Sequence, residues 1–374
     1  MKNALLAFAV LILLIFLLPG SVYSAYVPTD FDNNHFGIHI SDESDLEDAA
    51  KLVNGGRGQW GYVTFVIRED ERDSLRWQKF FDLLTDLKLI PIVRIATKID
   101  GPNWKVPTPQ EAENWAVFLN NLNWPISNRY VVIFNEPNHA AEWGGDINSQ
   151  QYANILKTYS LTFKSKSDDF FILPAAIDPS STNTKTTTSF KEFVEGMFSY
   201  MPDLLSYIDG WNSHSYPNPG FSGSPYDTGL GTVASWEREI ELLASYGINE
   251  NIPVFITETG WSTNSNSEET IVSNYLTAFT KVWNKSNLVA VTPFVLDYLQ
   301  EPFNGFSFKN PASGDYFKFF DLISNLPKTK GQPIKNTGIL DNFSSLKNSV
   351  LTKSTKNISE IIGDKEKELI AQVN

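Results

Sequence analysis

The sequence predicts an α/β fold, a (β/α)8 TIM barrel of parallel strands, on three observations. Eight short β-branched or apolar runs alternate with longer stretches of helical spacing, the order expected of βα units. Several of those runs are apolar almost without interruption, as parallel strands covered on both faces are. Eight units between residues 33 and 325 fit a closed ring better than an open doubly wound sheet, and no Gly-rich phosphate loop follows the first run.

Taken in order, strands are expected at 36–40, 62–67, 90–95, 130–134, 170–175, 208–213, 254–257 and 289–296. Helical periodicity falls at 75–87, where Phe80, Phe81 and Leu84 share a face. It recurs at 108–122, 149–163, 190–204, 232–246 and 271–283. Gly247 stands just past the fifth helix, where a C-cap favours positive φ. The barrel domain is expected to span 33–325. Beyond it, 326–374 reads as a polar C-terminal extension, weakly periodic until Ile361, Ile362, Leu369 and Ile370, with one short terminal helix.

The N-terminal segment 1–24 reads as a signal peptide. Lys2 precedes fifteen apolar residues from Ala4 to Leu18, then the breaker Pro19-Gly20 and a small-residue site ending at Ser24. The run is shorter than the roughly 20 residues a spanning helix needs. The protein is therefore expected to be secreted or at the cell surface, with membrane association only if this segment stays as an anchor.

Composition narrows the partners. The formal net charge is −13, which argues against nucleic acid, whose phosphates need clustered Lys and Arg. There are no cysteines, so disulfides, thiol nucleophiles and Cys-ligated metals are excluded. Aromatic residues reach 13%, with ten Trp, a load that suits a cleft stacking flat, weakly polar rings. Trp77, Trp115 and Trp283 follow helical spacing and are expected to pack. Trp104, Trp143 and Trp261 fall in loops after strands, the side on which barrel chemistry sits.

Strand four ends Phe134-Asn135-Glu136-Pro137 and strand seven ends Thr257-Glu258-Thr259-Gly260-Trp261. Each sets a carboxylate directly after an apolar run, where burial can tune its pKa. Strands three units apart face each other across a barrel mouth. Two carboxylates placed so are what retaining glycoside hydrolysis uses.

These strand ends resemble clan A retaining glycosidases, the grouping of many cellulases, mannanases and xylosidases, over residues 33–325. The resemblance implies Glu136 as acid/base, Glu258 as nucleophile, and Asn135 bonding the sugar 2-hydroxyl. Strand six supports it with His214-Ser215-Tyr216. Tyr216 is implied to touch the nucleophile through its hydroxyl, and His214 to contact substrate or to stand just behind it.

An arginine near the nucleophile is also implied. Arg94 is preferred to Arg68, because a cation inside an apolar strand needs a carboxylate partner. His39, ending strand one, can reach sugar. Trp143 and Trp261 are expected as sugar contacts, with Glu142 on the rim. Strand eight departs from the family by lacking its usual Trp, so Phe294, Tyr298, Trp261 or Trp143 can supply the platform. The loops 177–188 and 218–231 are expected to shape the cleft.

The implied activity is hydrolysis of a β-linked poly- or oligosaccharide, with a carbohydrate as partner and no metal or organic cofactor. A catalytically inactive carbohydrate-binding barrel and a transglycosylase with the same residues are the alternatives.

Overall fold

The computed structural model describes residues 25–336, and its compact unit ends at Ile334. The expected signal peptide 1–24 and the expected terminal helix beyond residue 336 lie outside the described residues. Eight strands run β1 (Gly37–His39), β2 (Gly61–Arg68), β3 (Leu89–Ala96), β4 (Arg129–Ile133), β5 (Phe170–Pro174), β6 (Trp211–His214), β7 (Val254–Glu258) and β8 (Leu288–Val291). Each is followed by a helix: α1 (Leu46–Asn54), α2 (Ser74–Asp86), α3 (Glu111–Asn120), α4 (Ser149–Lys166), α5 (Phe190–Tyr200), α6 (Ser235–Leu243), α7 (Glu268–Thr277) and α8 (Lys318–Asn325). Among the described residues no helix is long and apolar enough to cross a membrane.

Six helices fall where periodicity put them. The sequence reading missed α1 and α8, of nine and eight residues, because two turns are too few for spacing to stand out. Each still buries one stripe: Leu46, Ala49, Leu52 and Val53 on α1, and Phe319, Phe320 and Ile323 on α8. Gly247 takes φ 89°, the left-handed cap expected of it. Strand β8 stops at Val291, short of the expected 296. Beyond it, His39 N–H bonds the Pro293 carbonyl at 2.9 Å and Leu296 N–H bonds the His39 carbonyl at 2.9 Å. The segment after β8 thus clamps the end of β1.

All neighbouring strands pair in parallel, as β1–β2–β3–β4–β5 and β6–β7–β8. A bridge from Phe36 to Val291 joins the two ladders on one side. On the other side the closed ring expected from the sequence is not formed, and β5 and β6 share no ladder.

Pro174 explains the open seam. In a strand, alternate residues offer their polar groups to the same neighbour. Ile172 faces β6, since its carbonyl accepts from Asp209 N–H at 2.9 Å. Pro174, two residues on, faces the same way and has no N–H to give. Side chains span the gap instead. Asp209 Oδ2 accepts from Ile172 N–H at 2.7 Å, and Asn212 Nδ2 donates to the Pro174 carbonyl at 3.2 Å.

Two cores follow from this arrangement. An outer one lies between strands and helices. An inner one lies between the two ladders, with Tyr62, Tyr130, Phe171 and Phe255 meeting at centroid distances of 5.0–6.4 Å. Ile90 and Ile92 of β3 point into that inner core. By the same alternation Arg94 is the next inward side chain, at the mouth.

Candidate active site

The mouth gathers His39 from β1, Arg94 from β3, His214 from β6 and Glu258 from β7, joined by Glu136 just after β4. Two local departures aim the carboxylates. Phe134 and Glu136 both take positive φ, 70° and 27°, an uncommon conformation for side-chain-bearing residues that bends the chain out of β4 at the site. Between β6 and β7 the register slips, so that Ser213 faces Ile256 and His214 faces Glu258. Thr257 is the extra residue, and such a bulge re-aims a side chain. Thr257 donates its hydroxyl to Asn212 at 2.7 Å, leaving Glu258 opposite His214.

His214 stands between the two carboxylates. Its Nδ1 lies 2.7 Å from Glu136 Oε1 and 3.7 Å from Glu258 Oε2, and the residue is 2% exposed. Burial opposes its imidazolium, but Glu258 and Glu136 together outweigh burial and raise its pKa. Tyr216 donates its hydroxyl to Glu258 Oε2 at 3.1 Å, and burial followed by both carboxylates holds that phenol protonated. Arg94 Nη1 lies 3.8 Å from Glu258 Oε1. Burial would raise the Glu258 pKa, yet His214, then Arg94, and the Tyr216 hydroxyl bring it below the ordinary carboxylate value.

Arg68, the alternative arginine, is instead partly exposed and paired with Asp70 at 3.0 Å and Glu71 at 3.4 Å. His39 is buried, with neither ring nitrogen partnered in the protein. Burial pushes its pKa down to about 3, against the pull of Glu258, so the ring is neutral.

The tryptophan expectation needs correcting. Trp143 is 1% exposed with its Nε1 on Gln151, and Trp261 is 2% exposed with its Nε1 on the Gly223 carbonyl. Neither has surface left to stack a sugar. A cavity of about 550 Å³ reaching Arg94 and His39 is lined by the rings of Trp104, Phe294, Tyr298 and Phe303, with buried Phe65, Trp77 and Phe80 in its wall. Trp104 is carried there by a hairpin of Ile99–Asp100 with Asn103–Trp104 that periodicity did not reveal. Glu142, read as rim, instead lies at the end of the turn Ala140–Glu142 and lines a small recess with Arg94, Trp104 and Asn135.

Beside this site His139, Asp178 and Ser181 imitate a nucleophilic triad without its geometry. Asp178 Oδ2 and Ser181 Oγ both lie 2.9 Å from the same nitrogen, His139 Nε2. A relay needs serine and carboxylate on opposite ring nitrogens. The cluster holds the 177–188 loop instead, as does buried Asn138, whose Nδ2 donates to the carbonyls of Asp178 and Thr188 at 3.1 and 2.9 Å.

Behind β6, fully buried Glu239 accepts from Trp211 Nε1 at 2.7 Å and Ser213 Oγ at 2.8 Å. Burial raises its pKa from 4.5 to about 7, despite those two bonds. The fold therefore favours its neutral form, and the contribution to stability falls as pH rises from the unfolded value through the folded one. Glu239→Gln keeps an acceptor for Trp211 and donates to Ser213. Its melting temperature should match wild type near pH 5 and exceed it by several degrees at pH 8, for a relief of about 3 kcal/mol at most. Equal melting curves at both pH values would count against a strained carboxylate here.

Residues 99–302 match the family profile described as glycosyl hydrolase catalytic core, and both glutamates fall inside that span. The chain belongs to this family. Solved structures agree on the fold. The β-xylosidase of Caulobacter crescentus aligns at TM-score 0.54 and 12% identity over 80% of this chain and 69% of its own. The endo-β-1,3-glucanase of Sorangium cellulosum aligns at 0.52 and 14% over 79% and 98%. A family 39 glycoside hydrolase of Bacteroides cellulosilyticus aligns at 0.51 and 13% over 82% and 66%. The likeness to clan A glycoside hydrolases drawn from the ends of β4 and β7 is borne out. A chitin biosynthesis protein of Saccharomyces cerevisiae is 26% identical over 165 residues, 44% of this chain but 20% of that protein, so the chain spans about a fifth of its length.

Proposed function

We propose that this protein is a retaining glycoside hydrolase that cleaves a β-linked poly- or oligosaccharide outside the cell. One observation carries the reading: Glu136 and Glu258 approach the same imidazole nitrogen from two strands, at 2.7 and 3.7 Å. The nearest oxygens of the two carboxyls are then no farther apart than the sum of those distances, close enough for both to act on one sugar and in favour of the shorter spacing of retaining pairs. Water would have little room to enter between such carboxylates and sugar.

Glu258, held ionised by its cations and Tyr216, attacks the anomeric carbon. Glu136 gives its proton to the leaving oxygen, then takes one from the water that releases the sugar. Asn135, next to Glu136, bonds the 2-hydroxyl, the hydroxyl neighbouring the anomeric carbon. The aromatic cleft beside Arg94 and neutral His39 takes the sugar chain, stacking ring faces and bonding hydroxyls. That several fold neighbours act on β-linked glucans or xylosides favours a β-linkage. The export reading rests on the sequence of residues 1–24, and the substrate's location follows from it.

The test is hydrolysis of aryl β-glycosides and of β-1,3- and β-1,4-glucans and xylan, with the first-formed anomer read by proton NMR. The β-anomer is expected. An α-anomer product would replace this mechanism by an inverting one. Binding without turnover across the panel would leave the inactive carbohydrate-binding barrel.

A further inference from the structure

Glu136 straddles the open seam of the barrel. It follows β4, which pairs with β5, whereas Glu258 ends β7, which pairs with β6. Because β5 and β6 share no ladder, no strand pairing on that side fixes one glutamate relative to the other. The Glu136 carboxyl crosses the seam to His214 of β6 at 2.7 Å. Its backbone is held on the near side, and the positive φ of Phe134 and Glu136 persists only where the surroundings over-determine it.

The loop 177–188 after β5 supplies that constraint. His139 N–H on the Glu136 carbonyl at 2.9 Å closes a turn over 136–139, with Pro137 where such turns favour it. The far half of the turn joins the loop as an added strand would. Thr188 N–H donates to the Asn138 carbonyl and Ala140 N–H to the Thr186 carbonyl, both at 2.9 Å, around an antiparallel bridge of His139 with Thr187. The buried Asn138 amide is used at both ends, since its Oδ1 accepts from Asp178 N–H at 3.1 Å.

Side chains complete the bracket. Asp178 Oδ1 accepts from Ser180 N–H at 2.8 Å and Ser180 Oγ at 2.7 Å, while Oδ2 accepts from Ser181 Oγ at 2.6 Å and faces His139 Nε2 at 2.9 Å. Ser181 gives its one proton to Asp178, so His139 Nε2 is the donor to both of them. Burial opposes the charge on Asp178, yet His139, Ser181 and Ser180 hold its carboxyl well below the ordinary range.

We propose that His139 and Asp178 are positioning residues for proton transfer: their bond, with the Asn138 cradle, fixes the Glu136 turn so that its carboxyl meets the leaving oxygen while staying in register with Glu258 across the seam. This rests on the glycoside hydrolase reading of the site. A shift of about 1 Å at a reacting group can cost about 10²-fold. Here the cost falls on the acid step. Arg94 and Tyr216, which hold Glu258, stand on β3 and just after β6 and do not depend on the loop.

The experiment compares wild type, Glu136→Gln, Asp178→Ala, His139→Leu and His139→Gln on two aryl β-glycosides of the sugar that the hydrolysis panel identifies. One carries 2,4-dinitrophenol, which leaves without a proton, and the other 4-methylphenol, which needs one. Asp178→Ala and His139→Leu should each lose roughly tenfold or more in kcat/KM on the 4-methylphenyl substrate and less than about twofold on the dinitrophenyl one. His139→Gln, which can still donate to Asp178, should recover most of the loss. Equal losses on both substrates, or no loss on either, would overturn the proposal, because a loop that merely stabilises the fold lowers both alike. The ratio between substrates is internal to each variant, so partial misfolding cannot imitate the expected result, and the two variants cut the same bond from opposite ends. Glu136→Gln is the reference. If it loses equally on both substrates, the acid/base reading of Glu136 fails, and the proposal with it.

Discussion

Glu258→Gln should lose roughly 10⁴-fold or more in kcat on every glycoside the wild type hydrolyses, the scale on which removing a covalent nucleophile acts. Gln keeps the size of the side chain and can still accept from Tyr216 (3.1 Å in the wild type), so the loss reads chemistry rather than packing. Glu136→Gln should behave differently, and the contrast identifies the roles. A general acid contributes about 10²–10⁴-fold, and only where the leaving group needs a proton. With a 2,4-dinitrophenyl glycoside the first step should survive in Glu136→Gln, giving a burst of phenolate and then slow release of sugar. Added azide, a nucleophile that needs no base, should speed that release. No leaving group should rescue Glu258→Gln on the retaining path. If instead Glu136→Gln is the variant that no leaving group rescues, the two roles are exchanged.

Residues 136 and 258 could be placed at one mouth from sequence because both stand where an apolar run meets a carboxylate, the mark of a strand end. Arg94 was legible from its place inside an apolar strand, and Tyr216 through the resemblance of His214-Ser215-Tyr216 to the family. Arg94 continues the inward alternation of Ile90 and Ile92, and nothing in that layer but a carboxylate could balance it. Legibility ended where function depends on irregular backbone. The slip that sets His214 against Glu258 inserts a single residue, Thr257, into an apolar strand and leaves no trace in periodicity. The turn that carries Glu142 into the recess beside Arg94 is three residues long. The tryptophans misled for a related reason: a loop position says which end of the barrel a ring lies at, but not which way it turns. Trp143 and Trp261 turn inward because Gln151 and the Gly223 carbonyl take their indole N–H groups. Pro174 was visible all along, yet its effect on the seam needs the direction in which Ile172 points.

Removing His214 should cost about 10²–10³-fold in kcat/KM, less than removing the nucleophile, and should also move the acid limb of the pH profile upward. The sign follows from Glu258. In the proposed mechanism that carboxyl must be ionised to attack, and burial alone would raise its pKa; His214 is the foremost of the groups that bring it below 4.5. Without the imidazole Glu258 takes up its proton at a higher pH, so activity fails sooner as the medium is acidified. His214→Phe fills the buried space and removes both the charge and the 2.7 Å bond to Glu136. His214→Asn retains a donor near Nδ1 but no charge. If the bond to Glu136 matters chiefly for aiming that residue, His214→Asn should recover part of the rate while its acid limb stays as high as that of His214→Phe. If charge matters chiefly, the two variants should be equally slow. An acid limb unmoved in both would show that Arg94, 3.8 Å from the other oxygen, is sufficient to keep Glu258 ionised.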